Sequence, residues 1–397
     1  MKIAFINICD YGSTGKIMLQ LAKEAAAEGN ETVCFTRNWW DNRGSEGNVY
    51  FGYRTEHALH HVLGYVTGSE GSFSVLSTRE LIRKLDEFGP DVIHLHNLHG
   101  WFICLPILFD YIKKKDIRVI WTFHDCWPFT GHCPYFDFSG CSRWTEGCGN
   151  CPVYKEYPES LFDNSAKMYR RKKSWFSGVR DMTIVCPSEW LAGLVRMSFL
   201  AEYDVRVIHN GIDTAVFRRT ESDFRERYGI RDDEKMLLGV ASVWEPRKGL
   251  DVFPELDRRL GRGYRTVLVG IDSAQKADIP ERIICIERTS NQKELAEIYS
   301  AADVFVNPTR EDNYPTVNLE AISCGTPVVT FRTGGSPESV GEGCGIVIPK
   351  DDMDAAVEAV RTVCSDTSDH SSELASMAES FDSGIMTGEY LKLYGRQ

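Results

Sequence analysis

Two carboxylates stand eight positions apart in the run Asn307-Pro308-Thr309-Arg310-Glu311-Asp312-Asn313-Tyr314-Pro315-Thr316-Val317-Asn318-Leu319-Glu320-Ala321. A short apolar run, Asp303 to Val306, leads into this polar stretch, and a helix-forming run follows from about Thr316. Asp312 therefore falls on a loop and Glu320 inside a helix. Acids across such a strand–loop–helix junction can reach one ligand, one accepting hydrogen bonds from sugar hydroxyls and the other from ribose hydroxyls. The loop residues Asn313, Tyr314 and Pro315 lead to a helix start at Thr316, whose N–H groups suit a diphosphate. An ordinary helix with surface acids would show the same residue types.

Cations for such a ligand stand in Ser242-Val243-Trp244-Glu245-Pro246-Arg247-Lys248-Gly249-Leu250, which follows the strand-like run Met236 to Ala241 and opens a helix. A Lys at a helix N-terminus can neutralise a departing diphosphate. Arg247 stands beside Lys248, and the plain alternative is two surface cations. Near the start, Asp10-Tyr11-Gly12-Ser13-Thr14-Gly15-Lys16 forms a glycine loop between the first strand and the first helix. Gly12 and Gly15 let backbone approach a phosphate, or simply allow a tight turn. The loop misses the Walker A spacing, because Asp10 replaces the first Gly and Ile17 the Ser or Thr, so a kinase or ATPase reading is weak.

His124 ends the apolar run Val119 to Phe123, where the carboxyl end of a strand would face a ligand. His94, His96 and His99 lie together in sequence but have no adjoining carboxylate or cysteine, which makes them packing or ligand-facing residues rather than a metal set. Cys133, Cys141, Cys148 and Cys151 fall within 19 positions of a loop poor in apolar periodicity. Four such thiolates suit a structural Zn²⁺, with free thiols, a disulfide or an iron–sulfur cluster as the alternatives. Other cysteines, namely Cys9, Cys34, Cys186, Cys285 and Cys324, sit in apolar runs and read as buried small hydrophobes. Asp352-Met353-Asp354 has a metal-motif shape but follows Pro349 at a helix start, which makes it a capping site.

The elements that must position these residues alternate between strand and helix from the first residue. Lys2 to Ile8, Val33 to Thr36, Asp91 to Leu95, Val119 to Phe123 and Thr183 to Cys186 are short apolar runs, with helical stretches such as Thr14 to Glu28 and Thr78 to Phe88 between them. That alternation predicts a doubly wound parallel sheet. The pattern restarts after about residue 205, past the turn His209-Asn210-Gly211-Ile212-Asp213. Two α/β domains result, 1–205 with a Cys-rich loop at 126–152, and 206–380. A terminal helix over 381–397 is expected to pack back on the first. A length of 397 residues accommodates both. A net charge of −12 argues against nucleic acid as the main partner. No signal peptide and no apolar run of membrane-spanning length is read, so a cytoplasmic place is expected. The basic and aromatic stretch over 167–176, Lys167-Met168-Tyr169-Arg170-Arg171-Lys172-Lys173-Ser174-Trp175-Phe176, could rest peripherally on anionic lipid at the inner face of a membrane or be a solvated helix face.

The acidic residue, seven spacers and Glu formed by Asp312 and Glu320 resemble the signature of family 4 retaining glycosyltransferases. Cys324-Gly325-Thr326-Pro327-Val328-Val329, the Gly-Gly-x-x-Glu loop Gly334-Gly335-Ser336-Pro337-Glu338, and Val207 to Asp213 resemble further segments of that family. The resemblance covers both domains and is similar to that of bacterial surface-polysaccharide glycosyltransferases. It implies a GT-B fold, two Rossmann-like doubly wound domains facing across a cleft. The implied reaction transfers a hexosyl group from a nucleoside diphosphate sugar to a hydroxyl of a glycan or lipid-linked acceptor, with retention. Lys248 would hold the diphosphate, Glu320 the ribose, and Asp312 and His124 the sugar. No catalytic metal is expected. Two positions depart from the family pattern: Asp312 stands where Glu is usual, and Val243 where an Arg is usual, leaving Arg247 as the candidate substitute. A catalytically weak sugar-nucleotide binding module, or another GT-B enzyme such as an epimerase or phosphorylase, is the alternative. Turnover of a donor panel, and the absorbance of a bound pyridoxal phosphate, separate these.

Overall fold

The computed structural model describes residues 1–395. The chain divides into two compact units, one formed by Met1–Ile208 with the segment from Thr387, the other by His209–Met386.

The first unit is built on seven strands: β1 (Lys2–Asn7), β2 (Glu31–Arg37), β3 (Asn48–Phe51), β4 (Val92–Leu95), β5 (Arg118–Thr122), β6 (Met182–Cys186) and β7 (Asp204–Val207). They lie in the order β3-β2-β1-β4-β5-β6-β7, each pair parallel. Ile3, Ala4, Phe5 and Ile6 of β1 are wholly buried. Strands covered on both faces by helices carry continuous apolar runs, which is why no alternation was visible in them. The helix Gly12–Ala27 buries Gly15, Met18, Leu21, Ala22 and Ala25, one face at helical spacing. Trp121 of β5 packs against Phe109, Phe123 and Phe176 with ring centroids 4.9 to 5.5 Å apart. Burying each such side chain contributes roughly 1.5–3 kcal/mol.

The helix Arg54–Thr67 has no counterpart in the sequence reading, and its burial explains why. It turns His57, His60 and Gly64 inward and leaves Leu59, Val62 and Val66 exposed, the reverse of an amphipathic pattern. The last helix, Ser383–Tyr394, joins the first unit from Thr387. Tyr394 Oη bonds His94 Nδ1 at 2.8 Å and Tyr390 Oη bonds Thr122 Oγ1 at 2.8 Å. Arg118 of β5 donates to the carbonyls of Leu393 (2.8 Å) and Tyr394 (3.1 Å), which a helix end leaves without intrahelical partners.

The second unit holds β8 (Lys235–Val240), β9 (Tyr264–Val269), β10 (Ile284–Ile286), β11 (Val304–Asn307), β12 (Val328–Phe331) and β13 (Gly345–Ile348) in the parallel order β10-β9-β8-β11-β12-β13. In each sheet the chain runs outward and then returns to the other side of its first strand. The crevices for ligands open at the carboxyl ends of the strands flanking that reversal, β1 and β4 in one unit, β8 and β11 in the other. Asp352 caps the helix Met353–Ser365, its carboxylate accepting the N–H of Ala355 at 2.9 Å. Of the cysteines expected in the core, Cys34, Cys186 and Cys324 are buried, while Cys9 and Cys285 are only half-buried. Among the described residues no helix is long and apolar enough to cross a membrane.

Candidate functional site

At the reversal point of the second sheet, the loops after β8 and β11 are fastened to each other. Gly249 has φ +75°, and a Cβ there would lie 2.3 Å from the Pro308 carbonyl oxygen, so only glycine permits the approach. The N–H of Arg310 donates to the carbonyl of Arg247 at 2.7 Å. The result places Lys248 Nζ 2.5 Å from Asp312 Oδ2, with the side chains 23 % and 14 % exposed. Asp312 Oδ1 accepts the N–H of Asn313 at 2.9 Å. Gly334, at φ +55°, lies so close that a Cβ would fall 1.8 Å from the Asp312 carbonyl oxygen, and Gly335 donates to that same oxygen at 3.2 Å. The glycine pair therefore presses the loop after β12 against Asp312.

Lys248 does not open a helix, contrary to the sequence reading. Pro246–Lys248 is a single 3₁₀ turn, and the next helix begins at Val252. Pro246 opens the turn and Gly249, left-handed at its C-cap, ends it before a helix can start. Arg247 donates to Glu245 Oε2 at 2.8 Å and to the Glu311 carbonyl at 3.1 Å, so its guanidinium braces the Asp312 loop. Val243, at the departed Arg position, is 62 % exposed.

Glu320 lies on the helix Thr316–Ser323 and is half-buried, its Oε2 accepting the Tyr299 hydroxyl at 3.1 Å. Burial first, and that carboxylate second, raise the Tyr299 phenol well above its ordinary range. Asn313 and Tyr314 are buried, and the Tyr314 ring stacks on His209 at 4.7 Å. Pro315 is buried too, and Thr316 is half-buried. The side chains of Asn313, Tyr314 and Pro315 thus pack within the loop.

Sequence reasoning missed the hub beneath this loop. Asn318 is fully buried, accepts from Asn307 Nδ2 at 2.8 Å, and donates to Ser336 Oγ (3.1 Å) and Ser339 Oγ (2.8 Å). It joins the end of β11, the helix and the Gly334–Ser339 segment. An Asn among Val317, Leu319, Ala321 and Ile322 was the available signal, because a polar group on an apolar helix face must find partners.

In the first unit, Gly12 and Gly15 lie on the first turn of the helix after β1 rather than on a free loop. Gly12 has φ +68° with open space around it, whereas a Cβ on Gly15 would meet the Asp10 carbonyl carbon at 2.7 Å. Asp10 binds Tyr50 Oη at 2.5 Å and the N–H groups of Arg43 and Ser45 at 3.4 and 3.2 Å. Burial would raise its carboxyl, but these donors hold it below the usual range. His124 follows β5 and is half-buried, its Nε2 3.0 Å from His96 Nδ1. Burial pushes the His124 imidazole down to about 4, so it is neutral at pH 7.

His99 does have a carboxylate partner, unlike the expectation from sequence adjacency. Its Nε2 stands 3.0 Å from Asp125 Oδ2, across 26 positions. The basic stretch forms the helix Ser165–Phe176, but Lys172 is 1 % exposed and donates to the Trp127 carbonyl at 2.7 Å, so it belongs to the interior. Lys167, Arg170 and Lys173 are exposed. Among the described residues no group of three or more His, Cys, Asp or Glu is set to hold a metal ion.

Two Rossmann-like sheets, with candidate residues at the reversal point of each, define the GT-B class of fold. The profile of Glycosyl transferases group 1 matches residues 220–380, and that of Glycosyltransferase Family 4 matches residues 14–216. The chain belongs to glycosyltransferase family 4. A colanic acid biosynthesis glycosyl transferase of Escherichia coli K12, WcaC, is 25 % identical over 276 residues, 67 % of this chain and 65 % of that one. The D-inositol 3-phosphate glycosyltransferase of Acidothermus cellulolyticus is 30 % identical over 159 residues, 35 % of each chain. This chain thus spans less than two thirds of either relative. Sucrose-phosphate synthase of Thermosynechococcus elongatus shares the fold with TM-score 0.72 at 17 % identity, covering 99 % of this chain and 98 % of that one. Anabaena HepE in complex with UDP-glucose does so with TM-score 0.69 at 14 % identity, covering 99 % of both.

Proposed function

We propose that this chain moves a hexosyl group from a nucleoside diphosphate sugar to a hydroxyl of a glycan or lipid-linked glycan, with retention, in surface polysaccharide biosynthesis. The observation that carries the reading is the Lys248–Asp312 pair at the carboxyl ends of β8 and β11. In this pair the ammonium is neutralised by the carboxylate. A diphosphate, with two charged groups and more acceptor oxygens, would take Lys248 as its partner, and Asp312 would turn to the sugar hydroxyls. Glu320, whose carboxylate accepts the Tyr299 hydroxyl, would accept from ribose hydroxyls. The N–H groups of Thr316 and Val317, at the start of the helix Thr316–Ser323, would suit the diphosphate.

Charge develops on the departing diphosphate as the anomeric bond breaks, and Lys248 with Arg247 would stabilise it there. A leaving oxygen on the same face can take the acceptor proton, which accounts for retention without a separate base. These cations replace a divalent ion in the proposal, so turnover should persist in chelator. In the first unit, the neutral His124 offers a hydrogen bond to a sugar hydroxyl. The exposed Lys167, Arg170 and Lys173 share one helix face and would meet anionic lipid carrying a membrane-bound acceptor. Salt-sensitive sedimentation with phosphatidylglycerol vesicles, lost on changing all three to Ser, tests that contact.

The relatives support the donor class: HepE holds UDP-glucose, and WcaC carries a polysaccharide-biosynthesis name. The experiment is a thermal-shift screen of UDP-, GDP- and ADP-sugars, since a ligand raises the midpoint only when it binds the folded state. One base should stand out, and its sugar donor should release free nucleoside diphosphate. No shift with any donor contradicts the reading.

A further inference from the structure

From Cys126 to Asn164 the chain forms no helix or strand beyond the 3₁₀ turns Trp127–Phe129 and Arg143–Thr145. Irregular segments of that length are uncommon inside a compact unit unless something fixes them. This one is nevertheless packed: Trp127, Phe129, Phe136 and Trp144 are all buried. Cys133, Cys141, Cys148 and Cys151 line one small cavity inside it. The thiols of Cys133 and Cys151 are hydrogen-bonded to each other, and Cys148 Sγ accepts the N–H of Gly131 at 3.2 Å. The turn between the last two cysteines is a knuckle. Cys148 and Asn150 sit at φ 56° and 49°, with Gly149 at 122° between them. Arg143 closes the knuckle by donating to the carbonyls of Gly149 and Asn150. Such left-handed steps are costly for Cys and Asn and persist where surroundings over-determine them. None of the thirteen cysteines is in a disulfide.

We propose that Cys133, Cys141, Cys148 and Cys151 bind one structural Zn²⁺ that fastens this loop to the first unit. Four cysteines lining one cavity, two of their thiols already in contact and one receiving an N–H, supply the kind of soft sulfur donors that Zn²⁺ takes. The four are not yet at metal-binding geometry. Binding requires their side chains to rotate into the shared cavity as Zn²⁺ replaces four thiol protons, which leave to solvent. The resulting tetrathiolate carries two negative charges. Buried Lys172 lies within electrostatic reach of Cys133 and Cys148, and Arg143 lines the same cavity, so the Arg143 guanidinium is in place to offset them. The metal would thereby hold Trp127, which Lys172 grips at its carbonyl and ring, two residues beyond Asp125.

The test measures metal in the full chain by mass spectrometry, then removes it with chelator under reducing conditions and adds Co²⁺. The expected result is about one zinc per chain, and with Co²⁺ the spectrum of tetrahedral thiolate ligation. The Cys148→Ser/Cys151→Ser variant should retain less than roughly a tenth of that zinc, since losing two thiolates removes half of the ligand set. If this variant fails to fold, the Co²⁺ spectrum of the unaltered chain decides alone. Iron in place of zinc, a Cys133–Cys151 disulfide in the isolated protein, or a folded chain that takes up neither zinc nor Co²⁺ overturns the proposal. Donor binding in the second unit is measured separately and does not enter this outcome.

Discussion

Lys248 Nζ lies 2.5 Å from Asp312 Oδ2, although 64 positions separate the two residues. The contact depends on Gly249, whose left-handed φ lets the β8 loop touch Pro308, and on Gly334, which lets the β12 loop press on Asp312. Three loops therefore converge on one ion pair at the sheet's reversal point. The pair satisfies itself, so a donor must offer each member a better partner.

Lys248→Ala should weaken nucleoside diphosphate binding by roughly 10- to 100-fold, the range for a lost hydrogen bond to a charged group. The nucleoside alone, which has no phosphate to engage, should bind within about 3-fold of wild type on the same reasoning. Calorimetric titration of both ligands checks this, and an equal loss for both would place the lysine elsewhere.

Asn318→Ala should destabilise the second unit by about 3 kcal/mol. It leaves Asn307, Ser336 and Ser339 short of a buried partner, at roughly 1–3 kcal/mol for an unsatisfied group. Urea unfolding measures the change. A loss below about 0.5 kcal/mol, the size of an ordinary surface substitution, would show that the hub does not tie the helix to its neighbours.

Acid should act on the first unit before the second. His57, His60, His94, His96, His124 and His132 all have imidazoles depressed by burial, to about 3 for His60 and His94 and about 4 for His57, His124 and His132. A depressed folded pKa means the unfolded chain takes protons that the folded one refuses. Their stabilisation is full above about pH 6.5 and falls as pH drops from there toward 4, by about 1.4 kcal/mol per unit for a fully buried imidazole. His99 opposes this: burial lowers it, but Asp125 outweighs burial and raises it. In the second unit His370 is raised by its bond to Asp366. Limited proteolysis at pH 5 should cut first within 1–208. Earlier cutting within 209–386 would contradict the linkage.

Tyr394→Phe should cost about 1–3 kcal/mol, because it leaves His94 Nδ1 without its partner in a fully buried site. The thermal midpoint of the first unit reports it. An unchanged midpoint would mean the terminal helix is not anchored through that hydroxyl.

Much of this was legible in the sequence because parallel strands write themselves as apolar runs and the donor-loop residues as a fixed spacing. The restart of the pattern near 205 and the positions of Asp312 and Glu320 came from those two signals. Long-range pairings did not: Lys248 with Asp312, His99 with Asp125 and Asn318 with Ser336 join residues whose proximity only the fold creates. The helix Arg54–Thr67 was hidden because it buries histidines and exposes its aliphatic face. Lys172 misled for a similar reason. A basic run suggests solvent, yet the helix turns one of its lysines onto Trp127 at 3.4 Å from the indole centroid.

The most direct measurement compares donor turnover and nucleotide affinity in Asp312→Ala with those of the unaltered chain, using the donor picked out by thermal shift. If Asp312 orients the sugar, release of nucleoside diphosphate falls by at least about 100-fold, the scale of losing one transition-state contact, while nucleoside diphosphate affinity stays within about 3-fold. Turnover at the wild-type rate in that variant would contradict the account.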